Sequence, residues 1–206
     1  KEGYKFLAIS IIATFIVLLF SKFLGSILIL ATIWVYYFFR DPERYPINDD
    51  SFLVSPADGL ITDISERTGP IELQLENTTY TKVSIFMNVF NCHVNRTPLT
   101  GTVEEINYKP GKFLNASLDK ASDENERNYY KIKCSKSGEE IIIVQIAGLI
   151  ARRIVCEVEQ GQSLKQGDRI GMIRFGSRVD IYFKNKKVLA KIGQNLVAGE
   201  SLIASE

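Results

Sequence analysis

The chain contains 206 residues, of which 46% are hydrophobic, and its 25 Lys and Arg side chains stand against 24 Asp and Glu. This balance offers no broad basic surface, so the composition does not indicate a protein that binds nucleic acid. A chain of this length can form one domain with an attached segment. Its three cysteines, Cys92, Cys134 and Cys156, show no Cys-x-x-Cys spacing. They indicate neither a disulfide framework nor a zinc site, and we expect them to be core residues in a reducing compartment.

Two apolar runs without any charge, residues 6–20 and 23–39, lie at the start of the chain. Each is slightly shorter than the ~20 residues that cross a bilayer core, but flanking residues can extend both. The first run also lacks the small-x-small pattern at which a secretory signal peptide is cleaved. We therefore predict a helical hairpin that turns near residues 21–26 and anchors residues 1–40 in a membrane. The sequence leaves open whether this hairpin spans the bilayer or enters one leaflet.

Basic residues flank this hairpin on both outer sides. Lys1 and Lys5 precede it, Arg40 and Arg44 follow it, and Lys22 alone lies at the turn. Positively charged flanks favour the cytoplasmic side of a membrane. We therefore expect the hairpin in the cell (inner) membrane and the rest of the chain on the cytoplasmic face.

After residue 40 the pattern changes to short β-rich runs separated by Gly, Pro and Asn-Lys turn signals. One polar stretch, residues 116–128, is the best candidate for a helix or an ordered loop. We predict a mainly β, antiparallel domain over residues 41–206 that is large enough to hold a core. The predicted strands are 52–55, 60–65, 82–87, 102–108, 129–134, 140–146, 153–158, 169–175, 179–183 and 188–192.

Two short patterns each occur twice in this part of the chain. P-x-x-G-x-[IV]-x-x-I occurs at residues 56–64 and 98–106, and G-Q-x-L-x-x-G-[DE]-x-[IL] occurs within residues 161–173 and 193–205. The second pattern is typical of a turn that lets a strand re-enter a sheet, as in lipoyl and biotinyl domains. We therefore predict a barrel-sandwich-hybrid-like (lipoyl/biotinyl-like) β domain built from internal repeats.

Three residues stand out as candidates for chemistry. In "GMIRFGSRVDIYF" the pair Gly176-Ser177 separates two alternating apolar runs, where a glycine usually marks a bulge or a tight corner. The single histidine, His93, lies among polar residues in "NVFNCHVNRTP", and Asp58 lies in the turn-like "SPADG". Each residue alone has an ordinary structural explanation. Together Asp58, His93 and Ser177 can form an acid, base and nucleophile set, provided that the fold brings them together.

Six segments, in this order over nearly the whole chain, carry a more specific signal: "FFRDPER", "SPADG", "HVNRTPLTG", "YKPGKFLNASLDKASDENER", "QIAGLIARRIVC" and "RIGMIRFGSRVDIYF". With the apolar N-terminal hairpin, they resemble the short bacterial form of the phosphatidylserine decarboxylase proenzymes. The long forms of that family carry Gly-Ser-Thr where this chain has Gly176-Ser177-Arg178. They also carry a second histidine where this chain has Arg96, so the roles of that histidine are not carried over.

The resemblance implies a zymogen that cleaves itself. Ser177 Oγ would attack the carbonyl of Gly176, and β-elimination would separate a β chain, residues 1–176, from an α chain, residues 177–206. Ser177 would become a covalent pyruvoyl cofactor, which forms a Schiff base with the amine of phosphatidylserine. Loss of CO2 would then give phosphatidylethanolamine, a step of phospholipid biosynthesis at the membrane. The two chains would stay together as a heterodimer, and a higher oligomer is left open.

The resemblance also implies roles for the other candidates. His93 would protonate the α carbon of the substrate, activate Ser177, or do both, and Asp58 would orient or stabilise an imidazole. No metal is implied. Basic residues that could meet the lipid phosphate or carboxylate are Arg40, Arg44, Arg96 and Lys112, but none is assigned as a substrate-binding residue.

Two other functions fit parts of the sequence. One is a membrane-bound serine hydrolase that uses Ser177, His93 and Asp58 without self-cleavage, although the G-x-S-x-G pattern of a nucleophile elbow is missing. The other is a membrane-tethered barrel-sandwich adaptor without enzymatic activity. Both alternatives require one intact chain, whereas the decarboxylase requires two.

Overall fold

A computed structural model describes residues 3–114, 124–148, 153–174 and 177–206 of the protein. The chain divides into two compact units, Lys1–Pro42 and Glu43–Glu206. The first unit contains two apolar helices, α1 (Gly3–Phe20) and α2 (Lys22–Phe38). Ser21 alone separates them, and its side chain accepts a hydrogen bond from the Leu24 N–H at the start of α2. The predicted helix pair is therefore confirmed, with a turn confined to one residue.

The two helices run antiparallel and contact each other through small and polar residues. Thr14 Oγ1 lies 2.9 Å from Thr32 Oγ1 and donates to the Leu28 carbonyl at 3.3 Å. Gly25 packs against Leu18, where a Cβ would come within 2.2 Å of the leucine side chain. Small residues and hydroxyl bonds of this kind are typical of helix pairs in a bilayer, where burying apolar surface gives no advantage.

The outer surface of the helix pair is strongly apolar. Most of its large hydrophobic side chains are exposed, among them Ile9, Phe15, Leu19, Phe23 and Leu30. By length and composition α1 can cross a membrane, and α2 is an apolar helix of 17 residues. A contiguous apolar surface of this extent favours contact with lipid or with another apolar partner.

The second unit is mainly β, as predicted. All strand pairs within its sheets are antiparallel. The strands of the described residues are β1 (Phe52–Val54), β2 (Gly59–Thr68), β3 (Thr79–Met87), β4 (Val94–Arg96), β5 (Gly101–Lys109), β6 (Arg127–Cys134), β7 (Glu140–Ala147), β8 (Ile154–Cys156), β9 (Ser163–Leu164), β10 (Arg169–Ile173), β11 (Ser177–Phe183), β12 (Lys187–Val188), β13 (Asn195–Leu196) and β14 (Leu202–Ser205).

The strands form three sheets. A curled eight-stranded sheet has the order β13-β2-β3-β11-β7-β6-β5-β9, and two three-stranded sheets have the orders β1-β14-β12 and β4-β10-β8. The larger core cluster includes Ile85, Ile143 and Ile181 on one face of the eight-stranded sheet. A smaller cluster, with Tyr129 and Val144, covers the other face. The central strands β7 and β11 are therefore buried on both sides, which explains the nearly continuous apolar run "EIIIVQIA" in β7.

The predicted repeats form equivalent turns. In the two Gly-Gln repeats, Gly161, Gly167, Gly193 and Gly199 all have φ between 77° and 86°, a region that glycine enters without steric cost. Each Gly-Gln repeat pairs with one Pro-x-x-Gly repeat: β9 lies beside the start of β5, and β13 lies beside the start of β2. The repeats of the sequence are thus repeats of structure.

This equivalence extends through the whole unit. The order of the eight-stranded sheet is symmetric about the β11–β7 pair, and the two small sheets correspond strand for strand. One half runs continuously from β4 to β10, whereas the other consists of β1–β3 and β11–β14. The continuous half is therefore inserted into the other, and the chain returns to the first half between Ile173 and Ser177.

Some local predictions need correction. Cys92 and Cys134 are buried as expected, but Cys156 is exposed, because it lies at the end of the edge strand β8. Strands β4, β9, β13 and β14, which have two to four residues each, were not predicted, and the predicted strand at 188–192 overlaps β12 only at Val188. Of the predicted helix or loop at 116–128, residues 116–123 lie outside the described residues, and β6 already begins at Arg127.

Candidate functional site

Ser177 is the first residue of β11, in the middle of the eight-stranded sheet. It pairs with Met87 of β3 on one side and with Ala147 of β7 on the other. Its side chain is fully buried, and its Oγ has no hydrogen-bond partner among the described residues. Gly176, the other half of the predicted cleavage pair, lies outside the described residues.

His93 is also fully buried, just before β4. Its Nδ1 lies 3.0 Å from the carbonyl oxygen of Asn91. Because a carbonyl oxygen can only accept, Nδ1 carries the proton, and the basic lone pair of the neutral ring is on Nε2. The imidazole is therefore held in one tautomer, with Nε2 as the atom that can take up a proton.

Two short connections bring His93 and Ser177 to the same end of the sheets. Met87, opposite Ser177, ends β3, and the chain turns at residues 88–91 to reach His93. On the other side, the Ile173 N–H donates to the His93 carbonyl at 3.3 Å. Ser177 follows Ile173 by four residues, a span of at most ~14 Å.

Asp58 lies at this end too, immediately before β2. Leu60 and Arg178 pair with Phe86 from opposite sides, so β2 and β11 are two strand spacings, or ~10 Å, apart. The Asp58 carboxylate accepts two 3.0 Å hydrogen bonds from Arg44 Nη2 and one of 2.8 Å from the Ala198 N–H. These are its contacts in the described chain, and His93 is not among them. The role of Asp58 in orienting an imidazole stays a prediction.

The basic residues considered for lipid binding have other partners. Arg44 is held by Asp58, and Arg96, which is 5% exposed, donates to the Gly167 carbonyl at 2.9 Å. Lys112 forms an exposed ion pair with Glu124, and the Arg40 guanidinium lies 3.9 Å from the centre of the Tyr37 ring. Arg44 and Arg96 therefore support the fold around Asp58.

Arg178, the residue that distinguishes this Gly-Ser-Arg from Gly-Ser-Thr, points to the other face of the sheet. Its Nε lies 2.9 Å from Asp180 Oδ1, and its Nη2 donates to Asp180 Oδ2 at 3.1 Å. Both side chains are at least 95% buried. A pocket of about 590 Å³ lies on this outer face, and Asp180 is among its lining residues. It is separated from Ser177 by the sheet itself.

A set of buried polar side chains near Ser177 was missed by sequence reasoning. Asn95, Gln145 and Tyr130 are fully buried and linked to one another by hydrogen bonds. Gln145 interrupts the apolar run of β7, and this polar residue in a buried strand is the signal that could have revealed the set. The described residues contain no group of three His, Cys, Asp or Glu side chains that could hold a metal.

Comparison with known proteins gives one consistent result. Residues 31–204 match the family model described as phosphatidylserine decarboxylase. A phosphatidylserine decarboxylase proenzyme of Pelagibacter ubique is 64% identical over 206 residues, which cover 100% of this chain and 95% of the relative. Proteins of the same name from Cereibacter sphaeroides and Rickettsia akari are each 50% identical, over 99% of this chain and 88% of the relative.

The Asp58 site predicts an effect on stability. Asp58→Asn keeps an oxygen for the Ala198 N–H but leaves the largely buried Arg44 with Glu200 Oε2, 4.0 Å away, as its remaining carboxylate partner. We expect this change to lower the free energy of unfolding by about 2 kcal/mol. Urea titration of the protein in detergent measures this. The control is Asp63→Asn, whose ion pair with Lys82 is more exposed and should contribute less than about 1 kcal/mol. Equal losses in both variants would contradict the structural role, and loss of self-cleavage at unchanged stability would support the orienting role.

Proposed function

Because the chain belongs to the phosphatidylserine decarboxylase family, as its motifs predicted, we propose that it cleaves itself between Gly176 and Ser177 and then decarboxylates phosphatidylserine to phosphatidylethanolamine. The relatives that match the whole chain are named phosphatidylserine decarboxylase proenzymes, so the chain is assigned to the decarboxylases. The observation that supports self-cleavage is the Oγ of Ser177, which is buried without a hydrogen-bond partner among the described residues. A structural serine in a core normally satisfies its hydroxyl, so an unpaired one at this position fits a nucleophile and the precursor of a covalent group.

The cleavage follows from the chemistry of a serine that has a glycine before it. Ser177 Oγ–H gives its proton to a base, and Oγ adds to the carbonyl carbon of residue 176, which has no Cβ to obstruct the attack. The C–N bond breaks and the Ser177 nitrogen is protonated, so the amide becomes an ester. A base then removes the Cα proton of Ser177, and Oγ leaves as part of the carboxylate of residue 176. Hydrolysis of the dehydroalanine consumes water and releases ammonia.

His93 fits the base of these steps. Its Nδ1–H is occupied by the Asn91 carbonyl, which leaves Nε2 as the basic atom at the end of the sheet where Ser177 lies. The same imidazole, once protonated, can return a proton to the α carbon of the substrate. The pyruvoyl group that we propose at residue 177 supplies an electron-accepting carbonyl for the loss of CO2.

The position of β11 supports a stable two-chain product. Residues 177–206 would begin with this strand, which is paired along its length with β3 and β7. The same segment carries β13 and β14, which pair with β2 and β1. Both proposed chains therefore contribute to one core, and we expect a heterodimer that separates only when the domain unfolds.

We propose that the helix pair anchors the enzyme in the cell membrane, where its lipid substrate is dissolved, with residues 43–206 on the cytoplasmic side. The supports are the exposed apolar surface of the helices and the basic residues at both outer ends. Because a diacyl lipid is nearly insoluble in water, an anchored enzyme meets its substrate by diffusion in the membrane plane.

Ser177→Ala should leave one uncut chain without decarboxylase activity, because no oxygen nucleophile remains. Intact-mass spectrometry of the purified protein distinguishes one chain from two and separates the decarboxylase from both alternative functions. Ser84→Ala is the matched control, since Ser84 is another buried serine whose Oγ has no partner among the described residues. Cleavage that persists in Ser177→Ala, or a wild-type protein that stays uncut, would overturn the proposal.

His93→Asn should slow self-cleavage by about 100-fold or more, the usual contribution of a general base. The asparagine amide can keep the bond to the Asn91 carbonyl but cannot take up a proton. In the wild type the rate should rise with pH as the imidazole loses its proton, and the variant should lack this rise. Time courses of a cell-free translated precursor measure both. A variant with the wild-type rate and pH profile would remove His93 from the mechanism.

Labelling of Cys156 can test on which side of the membrane residues 43–206 lie, since Cys156 is exposed whereas Cys92 and Cys134 are buried. A membrane-impermeant maleimide should label the protein in inverted inner-membrane vesicles and not in intact spheroplasts. Cys156→Ser should abolish the labelling in both preparations. Labelling of wild type from the spheroplast side alone would place the domain on the opposite face.

A further inference from the structure

Three fully buried side chains form a hydrogen-bonded series between the large sheet and the sheet β4-β10-β8. The Tyr130 hydroxyl lies 2.7 Å from Gln145 Oε1, and Gln145 Nε2 donates to Asn95 Oδ1 at 2.8 Å. Asn95 Nδ2 then points at Met87 Sδ, 3.7 Å away. Such a polar series is costly in a core unless every group in it is satisfied.

The direction of this series is determined by its first member. The Tyr130 hydroxyl donates to Gln145 Oε1 at 2.7 Å, a shorter contact than the one of 3.3 Å to the Ile170 carbonyl. Gln145 must then present its Nε2 to Asn95, and Asn95 must present its oxygen to Gln145. The amide nitrogen of Asn95 is therefore forced to face the side of Met87.

At that end the hydrogen-bonding capacity of Asn95 is not used. Its Nδ2 carries two hydrogens, and its partner is a thioether, which is a weak acceptor. Met87 pairs with Ser177, whose Oγ is also buried and has no partner among the described residues. Side chains of paired residues lie on the same face of a sheet, with Cβ atoms ~5 Å apart. A donor with a weak acceptor and an oxygen without a partner among the described residues thus both adjoin the same methionine.

We propose that Asn95 is the hydrogen-bond donor to Ser177 Oγ when this oxygen leaves in the elimination step, and that Gln145 and Tyr130 are the residues that position it. The inference rests on the proposed self-cleavage. In that step a base removes the Cα proton of Ser177, a Cα–Cβ double bond forms, and the Cβ–Oγ bond breaks. Negative charge develops on Oγ as it departs with the carboxylate of residue 176, and a preorganised N–H stabilises such a charge.

A donor reserved for the leaving oxygen assists the second step more than the first. Ester formation places the new negative charge on the carbonyl oxygen of residue 176, whereas elimination places it on Oγ. Loss of Asn95 should therefore allow the ester to form and then to accumulate. The ester has the mass of the precursor but is split by hydroxylamine, which leaves an unmodified serine at the start of the C-terminal fragment.

The test follows Asn95→Ala in the full-length chain made by cell-free translation. We expect elimination to slow about 100-fold, the usual effect of removing one such donor, with a hydroxylamine-sensitive ester as the main species. Asn107→Ala is the matched control: it makes the same change in an amide on β5 that donates to the Glu72 carbonyl at 2.9 Å and not to a member of this series. It should cleave as the wild type does, without accumulating ester. Thermal unfolding checks that both variants fold.

Asn95→Asp is a second, nearly isosteric variant with a distinctive pH dependence. Its carboxyl group can donate while protonated but not when ionised, so its ester should decay more slowly as the pH rises. The base-catalysed wild-type reaction should not slow in this direction. Uncut precursor without ester in Asn95→Ala, or equal effects of Asn95→Ala and Asn107→Ala, would overturn the assignment to Asn95. A wild-type chain that never cleaves would instead overturn the proposed function.

Discussion

The pairing of β11 between β3 and β7 is the constraint on which the rest of the structure depends. Seven residue pairs join β11 to β3 and six join it to β7. Because side chains alternate between the faces of a strand, a shift of one residue would move Val179 and Ile181 out of the core and turn Ser177 to the outer face. The apolar packing that stabilises the sheet therefore also determines where the oxygen of the proposed nucleophile points. The orientation of the Ser177 side chain is therefore determined by the pairing of the whole strand.

The internal duplication explains why the proposed chain break before this strand would be tolerated. The strand pairs β3–β11 and β6–β7 are equivalent in the two halves. Arg178 pairs with Phe86 in the first, and Glu140 pairs with Lys133 in the second. By position in the sequence, Ser177 therefore corresponds to Glu139, and Gly176 corresponds to Gly138. There, β6 passes directly to β7 through a tight turn, with Gly138 at φ 74°. The equivalent strands β3 and β11 are not joined by a turn, because the whole inserted half, β4 to β10, lies between them in the sequence. A cut at this junction opens no hairpin, since the strands on both sides are held by partners of their own.

Much of the fold could be predicted from the sequence, because long strands and glycine turns leave local patterns. The alternation in β2, β3 and β5 and the two repeats predicted a mainly β unit with internal symmetry. The short strands β9 and β13 have two residues each, too few to show a period, and only the repeat marked their position. Motifs identified Ser177, His93 and Asp58, but no local pattern shows that Asp58 is bound by Arg44, which lies 14 residues earlier. The hydrogen bonds of Asn95 could not be predicted either, since its partners Gln145 and Met87 lie on other strands.

Hydrogen bonding distinguishes Asp58 from the proposed nucleophile Ser177 at this end of the sheet. Both oxygens of Asp58 are occupied by Arg44 and the Ala198 N–H, as expected of a group that stabilises the fold. In the part of the chain that the structure describes, Ser177 Oγ has no such partner, but neither has Ser84 Oγ on the neighbouring strand. Ser84 lies in the middle of β3 with paired strands on both sides, whereas Ser177 begins its strand at the junction of the two halves. The unpaired oxygen of Ser177 therefore fits the proposed cleavage because, unlike that of Ser84, it adjoins a junction where the chain could be broken without loss of the fold.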